Sequence, residues 1–516
     1  MRCVLGIDIG TTGARVLLLA DTGEVISSDS SEYPISIPRP NWAEQQPDDW
    51  WQATVTATES CLEKARTTSN DPIEIEAIGI TGQMHSAVFL DSDGKVLRPA
   101  ILWCDQRTEP QCHEITDIVG FDRLISYTSN KALAGFTAPK MLWLRENEPQ
   151  VYERVHKVLL AKDYIRYKLT GGFATEVSDA SGTLLFDVVN RKWSQEMLQA
   201  LRIPREWLPD CYESTDITGY LSQEAASILG LKGGIPVVGG GGDQAAGAVG
   251  NGIVHEGLAS CVLGTSGVVF WHSDEHVCDP HGRLHSFCHA VPGKWHLMGV
   301  TLSAGGSLRW FRDTLCQQEI GEAGQQGIDE YEAIISKAGG VVPGSEGLLF
   351  LPYLAGERTP YADANARGAF LGLSLRHTRD HMARAVLEGI VMSLKDCLEL
   401  GREIGLEPQR INLSGGGARS DMWSQMIADI FGLELVRTGS DEGPAYGAAI
   451  LAGVGAGIYS SVEEACGKLV FPTDSKTPNP AIMEIYRDLY GLYKPLYATL
   501  REHFERGAKF VPENPG

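Results

Sequence analysis

The segment CVLGIDIGTTGARVLLL, residues 3–19, decides the fold class of the chain. Apolar runs on both sides of the Gly-Thr-Thr-Gly turn at residues 10–13 predict two buried strands joined as a β-hairpin. Such a turn offers several backbone N–H groups and two hydroxyls to one point, which suits a phosphate chain. Asp8 can hold a divalent cation at the end of the first strand, and Arg15 can neutralise charge. A tight hairpin with a capping threonine is the alternative that needs no ligand.

A second segment repeats this pattern in the other half of the chain. SCVLGTSGVVFW, residues 260–271, again reads strand, glycine-threonine turn and strand, with Gly264 and Thr265 in the turn. Two hairpins of one design, one per domain, would clamp a phosphate chain from both sides. At 516 residues the chain is too long for one comfortable core. We therefore expect two domains, at residues 1–250 and 251–516.

The segment VVGGGGDQAAGAVG, residues 237–250, predicts a strand that ends in four glycines and leads into a helix of small residues. The carboxylate of Asp243 is placed to accept a proton from an attacking hydroxyl, as a general base does. The alternative is an ordinary helix-capping aspartate. The segment also matches a dinucleotide-binding fingerprint at Gly240, Gly242 and Ala245, but a charged Asp243 inside that turn argues against a bound pyrophosphate.

The segment LSGGGARSDMW, residues 413–423, places three glycines between a strand and a helix. The glycines make a flat floor for an adenine or ribose, and Ser420 is predicted to cap the following helix. Many α/β turns look similar, so this motif alone is weak. The sequence contains no G-x-x-x-x-G-K-[ST] motif, which excludes a P-loop enzyme.

Strands and helices alternate along the chain, which indicates the α/β class. A helix is expected to begin near Pro47. Another helix is predicted where apolar residues recur every four positions from Met382 to Leu398. Residues 235–242 are expected to form one short strand.

Composition narrows the partners and the compartment. The formal net charge is −22, and a field of that sign disfavours binding to nucleic acid or to anionic membrane surfaces. The 11 cysteines are scattered without a C-x-x-C pair, which favours free thiols over a disulfide framework or a zinc site. The first residues make a poor signal peptide, and no apolar run is long enough to span a bilayer. We expect a cytoplasmic protein; the sequence does not decide between a monomer and a homodimer.

These four sites, in this order, resemble the FGGY family of carbohydrate kinases, within the superfamily of sugar kinases, heat-shock chaperones and actin. The resemblance runs over nearly the whole chain. Several strings narrow it to the members that act on xylulose: ITGQMHSAVFLD, RPAILWCDQR, GFTAPKMLWL, GGGGDQAAGAVG, HSFCHAVPGKWHLMGV, LPYLAGERTP and SGGGARSDMW. The resemblance implies two ribonuclease H-like domains around a central cleft.

The resemblance also implies roles for single residues. Asp243 is the implied catalytic base, Asp8 is the carboxylate required on the phosphate side, and both are implied ligands of Mg²⁺. The cofactors it implies are ATP and Mg²⁺. The residues that match nucleotide-binding positions are Thr11, Thr12, Arg15, Gly264, Thr265, Gly305, Arg309, Gly416 and Ser420.

On the sugar side, Met84 and His85 match the substrate pair of the xylulose-specific members, where glycerol kinases carry arginine and glutamate. Asp105 lies in the same wall and is expected to contact the sugar with Asp243. Gln244 follows the base where many relatives have asparagine, which puts the pentose preference in doubt. Without the resemblance, His85 would be read as an ordinary turn histidine.

Three alternatives stay open at this point. A sister kinase could act on ribulose, another ketose or an alditol through a different substrate wall. An actin-like or chaperone-like ATPase would hydrolyse ATP without a sugar. An NAD-dependent dehydrogenase is the most distant of the three.

Overall fold

The computed structural model describes residues 1–68, 72–439 and 443–510. Its strands, numbered in chain order, are β1 Arg2–Ile9, β2 Gly13–Ala20, β3 Val25–Glu32, β4 Glu44–Gln45, β5 Glu74–Gly82, β6 Val88–Leu90, β7 Ala100–Ile101, β8 Lys157–Leu159, β9 Ala174–Glu176, β10 Phe186–Asp187, β11 Lys192–Trp193, β12 Asp210–Tyr212, β13 Ile217–Tyr220, β14 Pro236–Val238, β15 Gly241–Gly242, β16 Leu258–Leu263, β17 Gly267–Ser273, β18 His285–Cys288, β19 Trp295–Thr301, β20 Leu349–Leu351, β21 Ala369–Leu371, β22 Arg410–Ser414, β23 Glu434–Thr438 and β24 Pro472–Lys476.

The helices are α1 Pro47–Thr68, α2 Glu109–Val119, α3 Phe121–Thr128, α4 Thr137–Asn147, α5 Pro149–Tyr152, α6 Ala161–Thr170, α7 Val177–Ser181, α8 Gln195–Leu201, α9 Gln223–Leu229, α10 Asp243–Gly250, α11 Gly305–Leu315, α12 Gln317–Gln326, α13 Glu330–Gly339, α14 Arg379–Glu403, α15 Asp421–Phe431, α16 Gly443–Gly455, α17 Val462–Leu469, α18 Pro480–Tyr493 and α19 Leu496–Ala508. The helices predicted near Pro47 and from Met382 onward are α1 and α14.

Two large sheets share one pattern of pairing. In the first sheet the order is β3-β2-β1-β5-β14-β13, with β15 also on β5. The two pairs on the β3 side are antiparallel, the next two are parallel, and the last is antiparallel. The second sheet repeats these directions in the order β19-β17-β16-β22-β23-β24, with β18 beyond β19. The repeated hairpin motif therefore belongs to a repeated sheet, and both predicted hairpins are confirmed.

The prediction of one strand over residues 235–242 is wrong in detail, because this segment forms two strands, β14 and β15. Gly240, between β14 and β15, has φ 75°, outside the range of a strand. A Cβ on this residue would lie 1.7 Å from the carbonyl oxygen of Ile80 in β5. The chain therefore bends around a neighbouring strand, a contact that local sequence does not reveal.

Small residues let the two halves pack closely through α10 and α16. A Cβ on Gly447 of α16 would lie 1.7 Å from the carbonyl oxygen of Ala246 in α10. On its other side, α16 lies against the first sheet, where a Cβ on Gly6 would lie 2.1 Å from the carbonyl oxygen of Ala445. Strands of the first sheet end at residue 242 and those of the second begin at 258, yet α16 from the second half covers the first sheet. Residues 511–516 of the second predicted domain lie outside the described residues.

Within the described residues, no helix combines the length and the apolar character needed to cross a membrane.

Candidate active site

Two carboxylates meet where parallel strands of the first sheet end. Asp8 lies near the end of β1, and Asp243 follows β15 as the first residue of α10. Both strands pair in parallel with β5, where Asp8 and Gly241 are each opposite Thr81. This register brings the two side chains to the same edge, where α/β sheets bind their ligands. Gly242, not Asp243, occupies the cap position of α10, so the reading of Asp243 as a helix cap does not describe this structure.

Burial makes both carboxylates unusually basic. It raises the pKa of Asp8 to about 7, with the charge of Asp243 adding to the rise and Arg15 opposing it. Burial likewise raises the pKa of Asp243 to about 6, against hydrogen bonds from Gln244 that lower it. Among the described residues, Oδ1 of Asp8 is buried and has no hydrogen-bond partner. Desolvated carboxylates with an unused oxygen form a site that a hard cation would complete.

The first phosphate turn, at residues 10–13, is fixed by hydrogen bonds that its carbonyl groups accept. Tyr33 Oη donates to the Gly10 carbonyl at 2.6 Å, and Gln83 Nε2 donates to the same oxygen at 3.3 Å. The backbone N–H of Tyr33 donates to the Thr12 carbonyl at 3.1 Å. These contacts occupy carbonyl oxygens that would otherwise repel an anion, and they fix the turn before a ligand arrives.

Thr11 connects this turn to the predicted sugar wall, which comprises Met84, His85 and the segment around Trp103 and Asp105. Gln45 Nε2 donates to the Thr11 carbonyl at 2.8 Å, and the indole N–H of Trp103 donates to Thr11 Oγ1 at 3.0 Å. A hydroxyl that already accepts a hydrogen bond is oriented to donate one to a phosphate oxygen. Thr12, beside it, is exposed.

Sequence reasoning did not single out these four supporting side chains: Tyr33, Gln45, Gln83 and Trp103. Gln83 and Trp103 lie within two of the strings that resemble the family. Each has a hydrogen-bonding side chain next to a buried strand, and this feature could have identified them.

The second phosphate turn opens onto a cavity of about 920 Å³. Six of the predicted nucleotide residues line this one cavity: Gly264, Thr265, Gly305, Arg309, Gly416 and Ser420. The N–H of Gly305 donates to the Gly264 carbonyl at 2.9 Å, and the N–H of Gly306 donates to the Thr265 carbonyl at 3.0 Å. The start of α11 is therefore fastened to the turn, and its N-terminus adds a favourable field for an anion.

The three-glycine turn at residues 415–417 lies beside the second phosphate turn, since a Cβ on Gly415 would lie 2.5 Å from the carbonyl oxygen of Leu263, and Gly416 and Gly417 line the same cavity. Gly415 has φ 88°, and residues Gly416–Arg419 form a short 3₁₀ turn. Apart from its two chain neighbours, no described residue has an atom within 4 Å of the position that a Cβ on Gly416 would occupy, so this position is open to the cavity. Ser420 caps α15 as predicted, because its side chain accepts from the N–H of Trp423.

Met84 and His85, the predicted sugar-binding pair, lie next to Asp243. A Cβ on Gly242, the residue before Asp243, would lie 2.9 Å from Met84 Cγ. His85 is 5% exposed, and its Nδ1 lies 2.8 Å from the carbonyl oxygen of Gly182. A carbonyl only accepts, so Nδ1 carries the proton and Nε2 is left as an acceptor. Burial lowers the pKa of His85 to about 3, with the charge of Lys140 adding to the effect.

Asp105 is buried within the same wall, and its oxygens are already engaged. Arg107 Nη2 donates to Oδ2 at 2.7 Å, Arg107 Nε donates to both oxygens, and the N–H of Ala43 donates to Oδ2 at 2.6 Å. The Arg107 guanidinium lies 3.6 Å from the ring centroid of Trp42. Direct contact between Asp105 and a sugar stays a prediction, and these bonds favour a role in holding the wall.

Aromatic side chains from both halves surround His85, and the sequence did not single them out. Phe136 lies 4.7 Å from the ring of His85 and 5.6 Å from the ring of His285. Phe287 lies 6.1 Å from the ring of His85. His285 and Phe287 belong to β18 of the second half and Phe136 to the first, so both halves contribute to the surroundings of His85.

The comparisons with known proteins agree over the whole chain. The model of the N-terminal domain of the FGGY family of carbohydrate kinases matches residues 3–250, and that of the C-terminal domain matches residues 259–456. The xylulose kinase of Escherichia coli strain K12 is 42% identical over 97% of this chain and 98% of its own. The gluconokinase of Bacillus subtilis strain 168 is 32% identical over 98% of each. The solved ligand-bound xylulose kinase of Lactobacillus acidophilus superposes with a TM-score of 0.90 at 27% identity, covering 98% of this chain and 100% of its own.

The paired sheets, the two phosphate turns and the carboxylate pair define an ATP-dependent kinase of the two-domain actin-like fold, as expected from the sequence. The chain belongs to the FGGY family of carbohydrate kinases.

Proposed function

We propose that the chain transfers the terminal phosphoryl group of ATP to D-xylulose and forms D-xylulose 5-phosphate. The full-length similarity to xylulose kinases supports this substrate. The observation that carries the chemistry is the Asp8–Asp243 pair at the carboxyl ends of β1 and β15, the two strands on either side of β5, next to Met84 and His85. Residues 1–250 and 251–516 are the proposed domains, with α16 as the element that crosses between them.

Asp243 acts as the general base in this proposal. With a pKa of about 6 it is mostly ionised at neutral pH and still basic enough to accept a proton from the sugar hydroxyl. The hydroxyl oxygen attacks the terminal phosphorus of ATP as the proton passes to Asp243, and ADP leaves. Gln244 orients the carboxylate through its hydrogen bonds.

The two phosphate turns bind the nucleotide from opposite halves. Thr11, Thr12 and Arg15 contact phosphate oxygens from the first sheet, and Gly264 and Thr265 contact them from the second. Gly305, Arg309, Gly416 and Ser420 surround the adenosine in the 920 Å³ cavity.

Asp8 and Asp243 fit Mg²⁺ in the way this ion is usually held at phosphates, by one or two carboxylates, with the nucleotide supplying further ligands. The described residues contain no group of three or more histidine, cysteine or acidic side chains placed to hold a metal ion. The buried, unpartnered Oδ1 of Asp8 is consistent with this shared site. When bound, Mg²⁺ would neutralise charge that develops on the transferred phosphoryl group.

The cytoplasm is the proposed site of action. All 11 cysteines are free thiols in the structure, as a reducing compartment requires.

An ADP-release assay across D-xylulose, D-ribulose, xylitol and D-gluconate, with a sugar-free baseline, tests the proposal. We expect the highest kcat/KM with D-xylulose and little ADP release without sugar. A preference for ribulose or an alditol would assign a sister activity. A rate that is high without sugar and unchanged by any sugar would assign an ATPase instead.

A further inference from the structure

Arg358, in the segment LPYLAGERTP of residues 351–360, has an unused guanidinium. Among the described residues it makes no side-chain hydrogen bond and no ion pair, in contrast to Arg107 and Arg283, whose guanidinium groups bind carboxylates. The adjacent Glu357 does not pair with it. Its carboxylate instead accepts from Thr301 Oγ1 at 2.6 Å, from the Leu302 N–H at 3.0 Å and from the backbone N–H of Arg358 at 2.7 Å.

The guanidinium reaches from the second half into the sugar wall of the first. A Cβ on Gly135 would lie 3.4 Å from Arg358 Nη2 and 2.6 Å from the Trp103 carbonyl oxygen, so glycine leaves room for the arginine. The charge of Arg358 helps to lower the pKa of His85 and that of Lys140. Lys140 Nζ donates both to the Gly135 carbonyl at 2.7 Å and to the His85 carbonyl at 2.8 Å, so Arg358 lies close to the Met84–His85 pair.

Asp243 and Arg358 lie on different sides of the Met84–His85 pair. Met84 lies against Gly242, the residue before Asp243, whereas Arg358 Nη2 lies against Gly135, whose carbonyl shares the Lys140 ammonium with the His85 carbonyl. A sugar whose terminal hydroxyl meets Asp243 would extend past His85 toward Arg358. In this orientation the end away from Asp243 is the far end of the sugar. In a 2-ketose phosphorylated at its last carbon, that far end carries the ketone.

The two side chains at this end have fixed and opposite hydrogen-bonding roles. Arg358 only donates, and Nε2 of His85 only accepts, because Nδ1 of the same ring is committed to the Gly182 carbonyl. The carbonyl at C2 of a 2-ketose only accepts, and the adjacent hydroxyls can donate. The C2 hydroxyl of an alditol can also accept from Arg358, but it carries a proton of its own that the guanidinium cannot accept. The ketone oxygen has no such proton, and it cannot bond to the imidazole acceptor.

We propose that Arg358 donates a hydrogen bond to the ketone oxygen of a 2-ketose, while His85 accepts one from a neighbouring hydroxyl. Arg358 is then the residue that selects ketoses over alditols. The inference rests on the proposed sugar kinase function. It adds a hydrogen-bond donor from the second half, and this half would reach the sugar when the two halves close.

The test compares the ketose with its alditol in two variants. Arg358→Met keeps the length and removes the donor, and Arg358→Lys keeps the charge but loses the planar fork. We expect Arg358→Met to lower kcat/KM for D-xylulose about 10- to 100-fold, as for a lost hydrogen bond to a charged group. The change for xylitol, measured as a substrate and as a competitive inhibitor, should stay within about threefold. Arg358→Lys should fall between, and KM for ATP should not change.

Arg367→Met is the matched control. Arg367 stands in the same connection, and the partners of its guanidinium among the described residues are the backbone carbonyls of Ala364 and Ala366. We expect the ratio of kcat/KM values for ketose and alditol to remain at the wild-type value. Melting temperatures of all variants identify any loss that comes from unfolding, and Arg358→Lys then carries the comparison.

Equal losses for D-xylulose and xylitol would overturn the inference and leave the proposed function intact. A loss confined to D-gluconate would show that Arg358 binds a carboxylate, which also overturns it. If the wild type rejects D-xylulose but accepts another 2-ketose, the proposed substrate fails, and the ratio is measured with that ketose and its alditol. A wild type that accepts no ketose refutes both.

Discussion

At the scale of single residues, burial sets the chemistry of the cleft. It raises the pKa values of Asp8 and Asp243 and lowers that of His85. All three shifts favour the uncharged form, because each group has lost water without gaining a full ionic partner. The carboxylates gain basicity, and the imidazole becomes a fixed acceptor.

Asp243→Ala tests the general base. We expect turnover to fall about 10²- to 10⁴-fold, because the attacking hydroxyl loses its proton acceptor. Binding of xylulose and ATP, measured by calorimetry, should remain broadly intact. Asp122→Ala, which removes an exposed aspartate from the first turn of α3, serves as the control. Near-full turnover in a folded Asp243→Ala protein would refute the role.

The titration of His85 gives a separate test of the sugar wall. With a pKa of about 3 the ring should stay neutral from pH 8 down to pH 5, and it should become charged only under much more acidic conditions. An ordinary histidine would titrate across that range. NMR of histidine-labelled protein measures this, with His85→Gln to identify the signal. A midpoint between pH 6 and 7 for that signal would contradict the assignment of Nε2 as a permanent acceptor.

At the scale of elements, the features that depend on local sequence were predicted better than those that depend on contacts between distant segments. The hairpins around residues 10–13 and 264–267 follow from turn chemistry, and the Ser420 cap follows from its position before an apolar helix. The break at Gly240 depends on a carbonyl of β5, about 160 residues away in the chain. Such a contact leaves no mark on the neighbouring residues.

The same distinction holds for the candidate site. The glycine-rich turns drew attention to a phosphate and ribose site, because these groups need close approach to backbone, and the resemblance added Gly305 and Arg309. All of these residues line the 920 Å³ cavity, whose binding of nucleotide stays a prediction. The sequence did not identify Arg358. Its side chain stands out because it has no hydrogen-bond partner among the described residues, and only the folded chain shows this. The position of Asp105 was predicted, but its engagement with Arg107 depends on side-chain geometry.

Gly79→Ala tests the packing of α16 on the first sheet. A Cβ on Gly79 would lie 1.9 Å from the carbonyl oxygen of Ala448, so the helix must move away from β5. Overpacking of this kind costs about 1–3 kcal/mol, and we expect a lower melting temperature by calorimetry. Gly321→Ala in α12 is the matched control, because no atom lies within 4 Å of the added Cβ. Its melting temperature should stay equal or rise, since alanine favours a helix. Equal effects in both variants would show that α16 does not constrain the sheet.

At the scale of the whole molecule, the proposed site is divided between the two halves. The carboxylates and the first phosphate turn belong to the first sheet, while the second turn and the nucleotide cavity belong to the second. The sugar wall is divided in the same way between His85 and residues of β18. A productive complex therefore requires both halves to approach one another around sugar and ATP.

Closure would also exclude water, which competes with the sugar hydroxyl for the phosphoryl group. If the sugar joins His85 to the second half, its binding favours the closed state and completes the site only when the correct acceptor is present. We expect D-xylulose to reduce the radius of gyration in small-angle X-ray scattering and to raise ATP consumption more than about tenfold over the sugar-free rate. Xylitol should compact the protein less, because it lacks the ketone proposed to bind Arg358. Compaction without stimulation would place the rate limit elsewhere than closure, and stimulation without compaction would mean that the halves are already closed before the sugar binds.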